Sequence, residues 1–178
     1  PENVRLIRVK DTRVSMALLY SSWYGNPQKD MKIIGVTGTN GKTTVSRMIY
    51  EILYSSGHKV GLIGTLGTVF CGSPIDIRSS DELSNMTTPD PEHLYKIFSV
   101  MRKEGAEYVV MEVSSHALAL GKVAPVTFEI GVFTNMTPEH LDFHGDMENY
   151  FEAKASMFEQ CKKAIINCDD AYGRLLCK

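Results

Sequence analysis

No stretch of this 178-residue chain is apolar for the length a membrane helix needs, and no charged-then-apolar leader opens it. Membrane insertion is therefore not expected, and a cytoplasmic location is. Charge of one sign is missing too: 19 Lys and Arg stand against 21 Asp and Glu, a formal −2. That balance leaves no basic footprint for a nucleic-acid partner. The cysteines Cys71, Cys161, Cys168 and Cys177 include no Cys-x-x-Cys pair, which removes the zinc-knuckle signature and makes reduced thiols the expectation. There is no internal repeat and no low-complexity tract. The chain opens at Pro1 without an initiating Met, which points to a piece of something longer. What is present is ordinary for a globular protein, 43% hydrophobic and 22% charged, with length for one sizeable core.

Strand-like and helix-like stretches alternate along the chain. Short apolar runs predict strands over 32–37, 59–63, 65–70, 108–113, 129–133 and 163–167, and periodicity predicts helices over 43–55, 91–103 and 147–160. An earlier helix is expected over 14–22, closed by the Gly25-Asn26-Pro27 break. Continuously apolar strands separated by helices imply an α/β fold with a mostly parallel sheet and flanking helices. Asp90 before Pro91 reads as a capping residue, and Gly57 stands where a C′ glycine belongs. The polar stretch 71–86, with Gly72, Pro74 and Ser79-Ser80, reads as a long functional excursion or a disordered one.

Gly38-Thr39-Asn40-Gly41-Lys42-Thr43-Thr44 follows the apolar run Ile33-Ile34-Gly35-Val36 and leads into a helix, the linear form of a phosphate cradle. Glycines let backbone N–H groups close around phosphate oxygens, the helix N-terminus adds its dipole, Lys42 supplies a mobile cation, and Thr43 offers a hydroxyl to Mg²⁺. In the usual spacing a glycine stands five residues before the Gly of Gly-Lys, a position held here by Val36. A tight strand-to-helix turn with a surface lysine would share part of this pattern.

Three further groups lie just past strands or on the helix that follows. Glu112, in Met111-Glu112-Val113-Ser114-Ser115-His116, ends an apolar run, and ligands collect outside the carboxyl ends of parallel strands. Its carboxylate is placed to hold Mg²⁺ near Lys42, or else simply to meet water. The stretch Thr134-Asn135-Met136-Thr137-Pro138-Glu139-His140-Leu141-Asp142-Phe143-His144 crowds His140, Asp142 and His144 into one loop, compatible with zinc or with ordinary turn polar groups. Phe151, Lys154, Ala155 and Phe158 fall at i, i+3, i+4 and i+7, so Lys154 shares the apolar stripe. It either snorkels to the rim or is a functional group in a buried site.

These stretches, together with Thr87-Thr88-Pro89-Asp90-Pro91 and Tyr150-Phe151-Glu152-Ala153-Lys154-Ala155, resemble the Mur ligase family, ATP-dependent amide-bond-forming enzymes of bacterial cell-wall synthesis. They run in family order from about residue 11 to the end. Within the family the resemblance is to the type that adds the third residue of the peptidoglycan stem peptide. The resemblance implies a P-loop NTPase-like central ATP-binding domain over 31–178, incomplete and without the C-terminal domain, preceded at 1–30 by the end of a UDP-binding domain and a linker. It also implies that the γ-carboxylate of UDP-MurNAc-L-Ala-D-Glu attacks ATP, and that the amine of a diamino acid or lysine displaces phosphate from the acyl phosphate. The implied roles are ATP contacts from Gly38, Thr39, Asn40, Gly41, Lys42, Thr43 and Thr44. Catalytic roles fall to Lys42, Lys154 and His140, and Mg²⁺ ligation to Thr43, Glu112, His140 and a CO₂-derived carbamate on Lys154. Thr87, Thr88, Ser114 and Lys122 align with contacts to the UDP-muramoyl substrate. Where the family usually has Asn before Thr-Thr, and Gln and Arg after Ser-Ser-His, this chain has Met86, Leu120 and Lys122. A folylpolyglutamate-synthetase-like ligase would share the phosphate loop and the lysine but not Thr-Thr-Pro-Asp-Pro. A non-enzymatic ATP-binding module would keep the loop without ligating anything.

Overall fold

The computed structural model describes residues 5–75 and 86–178, so residues 76–85 of the polar excursion, Ser79 and Ser80 among them, lie outside the described residues. The elements follow the expected alternation: α1 Thr12–Trp23, β1 Lys32–Thr37, α2 Lys42–Ser55, β2 Val60–Gly64, β3 Gly67–Phe70, β4 Ser73–Pro74, α3 Pro91–Lys103 and β5 Tyr108–Glu112. Then come α4 Ser115–Ala119, β6 Phe128–Phe133, α5 Leu141–His144, α6 Met147–Ala155, β7 Ala164–Ile166 and α7 Ala171–Leu176. The strands join in one sheet of order β4-β3-β2-β5-β1-β6-β7. β2, β5, β1, β6 and β7 run parallel, and the β3–β4 ribbon adds an antiparallel margin.

Alternation along the central strands builds the layers. Ile33 of β1 and Val109 and Met111 of β5 face one core with Leu94, Tyr95, Phe98 and Met101 of α3, and with Ala17 of α1. Ile34, Val36 and Val110 face the other core with Tyr50 of α2. Each fully buried Val, Leu, Ile, Phe or Met contributes about 1.5–3 kcal/mol, and burial on both faces explains why these strands read as unbroken apolar runs. Gly35, in the middle of β1, is where the Phe128 ring and the Met157 sulfur press against the strand; a Cβ there would collide with the ring.

Several boundaries differ from the sequence expectation for identifiable reasons. The helix over 147–160 is α6 followed by a 3₁₀ turn, Ser156–Gln160. Tyr150, Lys154 and Met157 are the buried positions, while Phe151, Ala155 and Phe158 are only half-covered. Asp90 occupies the N-cap of α3 but makes no capping bond; its carboxylate pairs with Lys122 at 2.7 Å. Gly57 does take the left-handed conformation, φ 87°, just beyond α2. The strand over 65–70 starts only at Gly67, because Thr65 turns toward Glu112. The short helices α4, α5 and α7 were not anticipated, and no described helix is long and apolar enough to cross a membrane.

Candidate active site

β1 delivers the phosphate loop into the middle of the sheet edge. The position where the usual spacing places a glycine, Val36, is a fully buried residue of β1, so the loop proper starts at Gly38. Gly38 has φ 141°, and a Cβ on it would strike the Thr134 hydroxyl; Gly41, φ 82°, is the N-cap of α2 and offers no side chain of its own. Both positions suit glycine by conformation. The first helical bond runs from Val45 N to Gly41 O at 2.9 Å, so the helix itself makes no use of the amides of Lys42, Thr43 and Thr44.

The segment after β6 clamps the loop. Thr39 N donates to Asn135 O at 2.9 Å and Asn40 N to Asn135 Oδ1 at 3.0 Å, while Asn40 O accepts from Thr134 Oγ1 at 2.7 Å. The Thr39 hydroxyl accepts from Thr137 N at 3.0 Å and lies 3.1 Å from the Tyr150 hydroxyl. Two lysines then close on the loop. Lys42 Nζ donates to Gly38 O at 2.9 Å and Thr39 O at 2.8 Å, and Lys154 Nζ donates to the same Gly38 O at 3.0 Å.

Lys154 is 1% exposed, with its amine 4.4 Å from the centroid of the Tyr150 ring, so it does not snorkel. Burial, with the Lys42 charge adding to it, pushes its pKa down to about 7. Burial also lowers Lys42, opposed by the charges of Glu139 and Glu112.

Across the loop, Glu112 is 2% exposed and fully engaged. Its Oε2 accepts from Thr43 Oγ1 at 2.8 Å and Thr65 Oγ1 at 3.2 Å, and its Oε1 accepts from Thr65 N at 3.0 Å. The expected substrate contacts sit beside it. Thr88 Oγ1 donates to Glu112 O at 2.9 Å and accepts from Ser114 N at 3.0 Å; the Thr87 and Thr65 hydroxyl oxygens lie 3.1 Å apart. Ser114 caps α4. Lys122, besides Asp90, lies 3.5 Å from the Met86 sulfur, so two of the positions that depart from the family pattern meet each other.

His140 is exposed, with a left-handed φ of 56°, 3.6 Å from Glu139 and stacked edge-on to His116 at 4.7 Å between ring centroids. The zinc alternative for His140, Asp142 and His144 fails. His144 turns inward to share a proton with Ser115 Oγ at 2.9 Å, and no group of three or more His, Cys, Asp or Glu able to hold a metal ion exists among the described residues. Burial lowers the pKa of both His116 and His144.

Lys42, Thr43, Glu112 and Lys154 thus gather around one loop at the carboxyl edge of the sheet, with His140 joined to them through the Tyr150 ring, 6.4 Å away. Three contributors escaped the sequence. Thr65 sits in a stretch that reads as strand. Asn135 lies inside a recognised motif with no chemical signal of its own, and Tyr150 is one position off the apolar stripe.

A family model described as the Mur ligase middle domain matches residues 36–178. A UDP-N-acetylmuramoyl-L-alanyl-D-glutamate–2,6-diaminopimelate ligase of Clostridium perfringens is 45% identical over 177 residues, 99% of this chain and 35% of that protein. The solved structure of a UDP-N-acetylmuramoyl-L-alanyl-D-glutamate–2,6-diaminopimelate ligase superimposes with a TM-score of 0.78 at 33% identity, covering 92% of this chain and 33% of the other. A Mycobacterium tuberculosis folylpolyglutamate synthase complexed with ADP and AMPPCP shares the fold, with a TM-score of 0.68 at 15% identity over 92% of this chain and 43% of that one.

Proposed function

Because this chain belongs to the Mur ligase family, we propose that it is the nucleotide-handling centre of an ATP-dependent ligase that joins 2,6-diaminopimelate to UDP-MurNAc-L-Ala-D-Glu in peptidoglycan precursor synthesis. The chain spans about a third of the length of the curated relatives it matches. The activity is therefore assigned to a longer protein, in which residues 31–178 are the central ATP-binding domain and residues 1–30 the end of the UDP-binding domain and a linker. Identity of 45% to a diaminopimelate ligase, against 15% to a folylpolyglutamate synthase, favours this reading over the folate one.

The observation that carries it is the loop itself. The amides of Lys42, Thr43 and Thr44, together with the Lys42 amine, form a cationic pocket that the β6 segment holds in shape, which suits a triphosphate. Thr43 and Glu112 fit Mg²⁺, since a hydroxyl and a carboxylate 2.8 Å apart are both hard oxygen donors beside the phosphates. When bound, the metal neutralises charge on the transferring phosphoryl group. Lys154 fits the carbamate reading: an amine with its pKa near 7 is about half uncharged at neutrality, and the uncharged form is the one that adds CO₂. Its carbamate and His140 would hold a second Mg²⁺.

In the reaction, an oxygen of the D-glutamate γ-carboxylate bonds to the γ-phosphorus of ATP as the bond to ADP breaks. The incoming amine then attacks the acyl carbon, phosphate leaves, and the amine loses a proton. Lys42 stabilises charge on the migrating phosphoryl group. Thr87, Thr88, Ser114 and Lys122 orient the muramoyl substrate at the neighbouring strand end.

Calorimetric titration of the 178-residue chain with MgATP, alongside ligation assays with UDP-MurNAc-L-Ala-D-Glu and diaminopimelate, tests this. Weak nucleotide binding without product is expected, because closure around nucleotide and amine calls on parts beyond this chain. Absence of any MgATP binding would refute the nucleotide site, and steady ligation by the chain alone would refute the division of labour.

A further inference from the structure

Two of the four thiols meet on the surface beyond β7. Cys168 lies in the turn after the strand and Cys177 caps the C-terminus of α7; both are exposed, and their sulfurs are 3.8 Å apart. The other two thiols are differently placed. Cys161 is half-buried, donates to Met157 O at 3.1 Å, and has its thiol pushed up to about 11 by burial, while Cys71 sits at the β3–β4 turn.

The backbone around the pair is well held. Arg174 Nη1 donates to Cys168 O at 2.9 Å and Asp169 O at 3.0 Å, Asp170 caps α7 through Tyr172 N and Gly173 N, and Gly173 lets the helix rest against the Asn167 carbonyl, where a Cβ would clash. Turn and helix therefore hold the two cysteines together.

We propose that Cys168 and Cys177 are a redox-active dithiol that closes to an intramolecular disulfide by exchange with low-molecular-weight disulfides of the glutathione class. The sulfurs are already in van der Waals contact, and bonding asks them to approach by about 1.8 Å, within reach of side-chain rotation. The Cys168 thiolate attacks one sulfur of the external disulfide, forming a mixed disulfide and releasing one thiolate. Cys177 then loses its proton and attacks the Cys168 sulfur, releasing the second. The pair gives up two electrons, the external disulfide becomes two thiols, and both thiol protons end on those products. Hydrogen bonding to the Cys168 sulfur raises the pKa of Cys177, which suits it to the second, resolving step. The turn that would be closed also reaches the clamp on the phosphate loop, through Asn167 Nδ2 to Thr134 O at 2.8 Å and Asp170 Oδ2 from Met136 N at 3.2 Å.

The test is equilibration of the whole chain in buffers of graded reduced and oxidised glutathione, quenched by alkylation and read by intact mass and peptide mapping. The expected product carries two fewer alkyl groups than the reduced, alkylated chain, yields a 168–177 cross-linked peptide, and reopens with dithiothreitol. Cys177→Ser in the same buffers should instead retain glutathione on Cys168. A wild-type chain that stays reduced in fully oxidised glutathione, accumulates separate adducts on the two thiols, or links to a second chain would overturn the proposal.

Discussion

Lys42 and Lys154 donate to a single acceptor, the carbonyl oxygen of Gly38, at 2.9 and 3.0 Å. Two ammonium groups so close repel one another, and burial makes the inner one the weaker base. An anion at the mouth of the loop relieves both, so the local chemistry of the two lysines and the proposed phosphate site are aspects of one electrostatic arrangement.

The first prediction concerns stability in bicarbonate-free buffer. Lys154 has a pKa of about 7 folded, against a reference of 10.5, so between those values the unfolded chain holds a proton that the folded chain lacks. Stability contributed by this group therefore rises with pH across that window and is lost as pH falls through about 7. Lys154→Met should be more stable than the parent near pH 6, with the margin shrinking by about pH 9.5 in urea melts. Parallel curves for the two proteins would contradict the buried-amine account.

Removing the mobile cation should act on binding more than on folding. Lys42→Ala is expected to weaken MgATP by at least about tenfold, the worth of one charge-assisted contact, with little change in melting temperature. Equal affinities by calorimetry would place the phosphates elsewhere.

Glu112 offers a cleaner probe of the metal. Glu112→Gln keeps an acceptor for Thr65 N but loses the charge, so affinity for ATP should respond much less to Mg²⁺ than in the parent. Gly64→Ala should have a similar effect by a different route, since a Cβ there would run into the Glu112 carboxylate. Comparing titrations in Mg²⁺ and in EDTA settles the matter; an undiminished Mg²⁺ effect in Glu112→Gln would remove Glu112 from the metal site.

In a ligase containing this chain, Lys154→Ala should lower activity by about a hundredfold or more through lost metal positioning. Bicarbonate should raise the activity of CO₂-stripped wild type and leave the variant unmoved. A variant with full activity at saturating ATP and Mg²⁺ would eliminate the role assigned to the lysine.

The parts of this molecule that were legible from sequence are those with local punctuation. β1 ends where Thr37 meets the glycine loop, and α3 starts at Pro91; both match their expected limits. Helices α4, α5 and α7 are too short to show a period, so nothing local marks them. Thr65 leaves the strand because a carboxylate from β5 captures its amide, a long-range effect absent from its neighbours in sequence. The spacing put Lys154 on the apolar stripe and left open whether its amine snorkels or is buried; the structure buries it, with the stripe turned by one residue so that the Tyr150 hydroxyl reaches back to Thr39.

The strand order has a kinetic consequence. Because β1 lies between β5 and β6, its loop finds its clamping partners far along the chain: Thr43 meets Glu112 across 69 residues, and Gly38 meets Lys154 across 116. Such separations make for slow, high-contact-order assembly. During synthesis, a chain long enough to contain the whole glycine loop has Lys42 but still lacks Glu112, Asn135 and Lys154, so the clamped pocket requires the chain to be made at least as far as α6.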